Sequence, residues 1–154
     1  MARIRVERSI AADPTSTALL LAGPSGLDLW PNVERVHQLP DRLVAETDVA
    51  TFTARRPIRV DVRLEPPQRL PLAYVMRFEA SGPGMPDTTG VLTLTYEPYR
   101  GRLGTSALLR LDYSLATGEG RLLDRWRAAS ELRGLSETFL DNLATAAESR
   151  ADAA

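Results

Sequence analysis

The chain has 154 residues, 44% of them hydrophobic and 25% charged, with a formal charge of -1. It is long enough to bury a substantial core, and its composition is that of an ordinary globular protein rather than a disordered or fibrous one. All 19 basic residues are arginine, scattered along the chain, and cysteine is absent, which removes lysine Schiff bases, disulfides, thiolate catalysis and cysteine-ligated zinc and gives nucleic-acid binding little electrostatic support.

The first residues lack the continuous apolar segment of a secretory signal, and no apolar run of about 18 residues could span a bilayer. The expectation is a soluble, cytoplasmic protein without a membrane span. Residues 3–10 set Ile4, Val6, Arg8 and Ile10 against Arg3, Arg5, Glu7 and Ser9, a period of two that predicts a strand with Arg8 as the exception on its packed side. Asp13 followed by Pro14 signals a helix start, and a short helix over residues 15–21 should stop near Gly23-Pro24. A second short turn from Ser25 should end at Trp30-Pro31, where proline restricts continuation.

Extended segments dominate the middle. Strands are predicted over residues 32–39 and 43–54, separated by a turn at Pro40-Asp41. Ile58, Val60, Val62 and Leu64 then alternate with Arg59, Asp61, Arg63 and Glu65, as expected of a sheet exposed on one side. After Pro66-Pro67, residues 70–78 carry Leu72, Tyr74, Met76 and Phe78 in one phase, and residues 81–87, with two glycines and two prolines, predict a loop. Two further strands over residues 91–99 and 103–115 flank Arg100-Gly101-Arg102.

From Leu132 onward the period changes. Leu132, Leu135, Phe139, Leu143 and Ala146 recur at intervals of three and four, widened by Leu140 and Ala147, which predicts an amphipathic helix within residues 121–150. Gly134 interrupts the pattern and allows either a continuous or kinked helix or two separate ones. Residues 1–150 are expected to form one domain and residues 151–154 a frayed tail.

The order β-α-α-β-β-β-β-β-β-α resembles the START-like, or Bet v 1-like (SRPBCC), superfamily, which includes small polyketide cyclase-like proteins. The resemblance runs from Ile4-Val6 through the turn at Leu27, Trp30 and Pro31 to the helix with Leu132, Phe139 and Leu143. It implies an α+β helix-grip fold, a curved antiparallel sheet around a long C-terminal helix with an apolar cavity between them. A flat α/β sandwich is the structural alternative, because it would bury the same helix face.

Tyr74, Tyr96 and Tyr113 fall in predicted inward phases and would offer a ring and a hydroxyl to a ligand, or simply pack in the core. Trp30, Phe52, Met76, Phe139 and Leu143 would complete a cavity wall, with core packing as their ordinary alternative, as for Trp126. His37, the single histidine, lies among Glu34, Arg35 and Gln38 and reads as a surface residue. Arg110 and Asp112 share the outward phase, and no catalytic arginine can be matched to the cyclase-like relatives. No metal spacing or phosphate loop is present, and no cofactor is implied. The expected function is binding of a hydrophobic or aromatic small molecule. A polyketide cyclase or aromatase-like enzyme performing aldol condensation and dehydration is one alternative, and a structural or assembly protein, for which a homodimer would be the partner state, is another.

Overall fold

A computed structural model describes the backbone of residues 2–50, 55–82, 85–114 and 122–153, with side chains except at 23, 48–50, 55–58, 85–86, 122–128 and 153. In chain order the elements are β1 (Ala2–Ile10), α1 (Pro14–Leu19), a 3-10 helix (Gly23–Leu29), β2 (Val33–Gln38), β3 (Leu43–Ala50), β4 (Arg55–Leu64), β5 (Gln68–Leu70), β6 (Ala73–Gly82), β7 (Met85–Tyr99), β8 (Arg102–Tyr113) and α2 (Leu122–Ala153). The strands form one antiparallel sheet in the order β1-β8-β7-β6-β4-β3-β2, with β5 pairing only β6. This is an α+β helix-grip: the sheet curves around α2.

Two details depart from the sequence reading. Residues 68–70 form their own short strand, which folds back on β6 with Leu70 opposite Ala73; Pro71 has no N–H to continue a ladder, so the expected single strand becomes a hairpin. The predicted loop at 81–87 is largely strand, since β6 runs to Gly82 and β7 starts at Met85, with Gly82 opposite Met85. A side chain at Gly82 would collide with the Arg59 carbonyl, so glycine here lets β6 finish close against β4.

The start of α1 and the docking of α2 are fixed by identifiable chemistry. Asp13 caps α1 by accepting from the Ser16 N–H (3.1 Å) and hydroxyl (2.7 Å), and Pro14 occupies the first turn. Arg8, the exception in β1, reaches across to Asp141 on α2 at 2.6 Å. Farther along, the Ala11 N–H donates to Glu148 Oε1 at 3.0 Å. These contacts lay α2 alongside β1, its C-terminal half beside the end of that strand.

α2 is a single helix of 32 residues that continues through Gly134 and into the expected tail. Its buried face is Ser136, Phe139, Leu140, Leu143, Ala144 and Ala147, with Leu132, Leu135 and Ala146 only partly covered. The stripe is thus centred slightly off the predicted one, because the small residues Ser136, Ala144 and Ala147 permit the closest approach to the sheet. The Ser136 hydroxyl satisfies itself on the Leu132 carbonyl at 2.6 Å.

Candidate functional site: the open end of the helix-grip

Cross-strand register arranges the concave face in rows. Leu43, Val62, Ala80, Thr88, Tyr113 and Ala2 lie side by side in one; Leu64, Phe78, Gly90, Leu111 and Ile4 form the next. Then come Met76, Leu92, Leu109 and Val6, and after them Tyr74, Leu94, Ala107 and Arg8. In the Met76 and Tyr74 rows the apolar members Met76, Leu92, Leu94, Ala107, Leu109 and Val6 are buried, with Tyr74 half-buried and Arg8 exposed at the row's ends. In the first two rows Leu64, Phe78 and Ala80 remain only half-buried. The grip is closed at one end and open at the other.

An aromatic wall stands at the open end. Trp30, delivered by the end of the 3-10 helix, stacks on Phe139 of α2 with ring centroids 4.3 Å apart and planes at 13°. Phe78 meets Trp30 edge-on at 6.3 Å and 71°. The Trp30 ring touches both hydrophobic clusters, the main one under α2 and a second built from Leu27, Leu43, Ala45, Val60 and Val62. Asn142, one turn beyond Phe139, donates to the Leu29 carbonyl at 2.8 Å and ties the 3-10 helix to α2. Gly90 lies directly opposite Phe78, and any Cβ there would overlap the ring, so glycine gives Phe78 its place on the floor.

The three tyrosines share the concave face but do not converge. Tyr113 is 3% exposed, in the row at the open end. The Tyr74 hydroxyl is engaged by the Thr15 hydroxyl at 3.0 Å, joining β6 to α1. Tyr96 pairs with Thr105 at the far end and is 39% exposed. Eight residues of β8 separate its row from that of Tyr113, about 27 Å of extended chain. Met76 and Leu143 belong to the sealed core, and Phe52 lies outside the described residues, as does the Trp126 side chain. Of the residues singled out from sequence, Trp30 and Phe139 come together with Phe78, which the phase of β6 marks as inward but the expected cavity wall leaves out, and Tyr113 belongs to the adjoining row.

No protein-family model matches the sequence, and neither does any curated protein. Solved structures do share the arrangement. Protein TTHA0849 from Thermus thermophilus is 19% identical over 97% of this chain and 99% of its own, with a TM-score of 0.65. A START superfamily protein from Mycobacterium smegmatis is 13% identical over 96% of this chain and 95% of its own, with a TM-score of 0.60. The fold matches that of the START/Bet v 1-like superfamily. The di-domain ARO/CYC protein StfQ of the steffimycin biosynthetic pathway is 17% identical over 97% of this chain and 52% of its own, with a TM-score of 0.54.

The charged groups His37, Arg110 and Asp112 lie away from the concave face. His37 is exposed on β2, 3.5 Å from Glu46, as its polar neighbours suggested. Arg110 and Asp112 form an outward pair at 4.0 Å, and Arg3 binds Asp112 at 2.7 Å. The Arg3 hydrogen bond holds the Asp112 carboxyl below the usual aspartate range. A depression of about 330 Å³ at this end of the sheet is lined mainly by outward groups, including Glu79, Asp87, Thr89 and Asp112. Among the described residues no cluster of three or more metal-ligating side chains occurs, and no helix is long and apolar enough to cross a membrane.

Proposed function

We propose that the protein binds a hydrophobic or aromatic small molecule between α2 and the open end of the concave sheet. The observation that carries this reading is the uneven burial of the inner face: Met76, Leu92, Leu94, Ala107 and Leu109 are buried toward one end, while Trp30, Phe78 and Ala80 remain half-buried toward the other. A core that needed only to be filled would be covered throughout. Trp30 and Phe78 supply flat apolar contact, and the Tyr113 hydroxyl supplies one polar anchor. Native mass spectrometry of the purified chain, followed by denaturing extraction and titration with a panel of aromatic and lipid-like compounds, tests it. A stoichiometric adduct or saturable binding that weakens about tenfold or more in Trp30→Ala is the expected result. A clean mass together with no saturable binding across the panel rules the reading out.

The second reading is a cyclase or aromatase-like enzyme, supported by the placement of Tyr113 in the inward phase of β8 and by the likeness to StfQ. In it, the concavity folds a poly-β-ketone chain and Tyr113 assists proton transfer during aldol condensation and loss of water. A poly-β-ketone thioester analogue converted to a dehydrated aromatic product by the wild type but not by Tyr113→Phe, with binding retained, would select this reading over simple carriage.

A further inference from the structure

Thr47 is the polar oddity of the inner face. It follows Leu43 and Ala45 in the inward phase of β3, is 6% exposed, and its hydroxyl has no hydrogen-bond partner among the described residues. Other buried threonines show what a settled hydroxyl looks like: Thr105 on β8 donates to the Ala12 carbonyl at 2.6 Å, and Thr17 on α1 to the Asp13 carbonyl at 2.9 Å. A buried hydroxyl left without a partner costs free energy that a valine of the same shape would not. Its location is specific. Val33 lies directly opposite Thr47 across β2 and β3, and the Val33 N–H donates to the Trp30 carbonyl at 3.3 Å. Thr47 therefore sits one cross-strand neighbour from the residue that builds the aromatic wall.

We infer that Thr47 is a specificity-determining ligand contact, whose hydroxyl selects hydrophobic molecules bearing a carbonyl or hydroxyl oxygen over their pure hydrocarbon counterparts. This rests on the binding reading above and narrows its ligand class. Tyr113, on the other side of the concavity, offers a second hydroxyl to the same class. A ligand oxygen reaching Thr47 gains a hydrogen bond and relieves an unsatisfied group, whereas a hydrocarbon leaves it bare.

The test uses 2-naphthol and naphthalene as matched probes, measured by fluorescence titration against the wild-type chain, Thr47→Val and Thr47→Ser. The wild type is expected to prefer 2-naphthol, Thr47→Val to lose roughly tenfold in 2-naphthol affinity with naphthalene unchanged, and Thr47→Ser to keep the preference. Without ligand, Thr47→Val should melt at the same temperature as the wild type or higher. Equal 2-naphthol affinity in Thr47→Val and the wild type overturns this inference alone, as does a lowered melting temperature of ligand-free Thr47→Val, which would reveal an internal partner. Failure of the wild type to bind either probe while other panel members bind overturns this inference alone; the binding reading falls only with no saturable binding across the whole panel.

Discussion

Asp13 shows how much one side chain can organise. Partial burial pushes its carboxyl upward, but the hydrogen bonds from the Ser16 hydroxyl and backbone N–H, with neighbouring N–H groups, outweigh that and hold it below the ordinary 3.8. A carboxyl depressed in the folded state contributes stability that is present above its unfolded value and is lost as pH falls through its folded one. Asp13→Ala should therefore cost about 1 kcal/mol at neutral pH, and the difference from wild type should shrink below about pH 4. Urea denaturation at pH 7 and pH 3 measures both. A penalty of equal size at the two values would mean that the cap acts through shape and not through charge.

At the scale of the element, α2 carries its own test in Gly134. The helix runs straight through this glycine, and a Cβ there would meet nothing within 4 Å. Gly134→Ala should stabilise the protein by about 0.5–1 kcal/mol, chiefly by restricting the unfolded chain. Thermal melting reads this directly, and an unchanged or lowered midpoint would show that the helix bends there in solution. The spacing of Leu132, Phe139 and Leu143 made the existence and facing of this helix legible from sequence, because intervals of three and four follow the turn of a helix and not the pleat of a strand. Its docking centre was not legible, since Ser136 and Ala144 are buried by virtue of smallness, and hydrophobicity patterns give small residues little weight. Alternation likewise announced β4 and the inward phase of Tyr74, Tyr96 and Tyr113. Alternation gives a side, however, and not a position along the strand, so it could not separate Tyr113 at the open end from Tyr96 on the opposite rim. The β5 hairpin and the continuation of β6 and β7 through glycines and prolines were hidden because those residues signal breaks whenever their tertiary partners are unknown.

For the whole molecule, the two ends of the concave face should respond differently to damage. Leu143 is fully buried in the sealed core, so Leu143→Ala should cost about 2–5 kcal/mol and lower the melting temperature irrespective of ligand. Trp30 is half-buried and spans the two hydrophobic clusters, so its truncation should fall more heavily on binding than on folding. Guanidinium unfolding of both variants beside ligand titration separates the two roles; if Trp30→Ala is as destabilising as Leu143→Ala, the open end is core after all. The pairing of β1 with β8 carries a further consequence, for biosynthesis. Residues 2–10 are made well before their partners in the sheet, residues 105–113. At about 5–20 residues per second, the first strand waits roughly 5–20 s for the strand that receives it. During that interval Ile4, Val6 and Ile10 lack their sheet neighbour, and a ribosome paused before β8 holds a nascent chain in which this apolar strand is a ready target for chaperones.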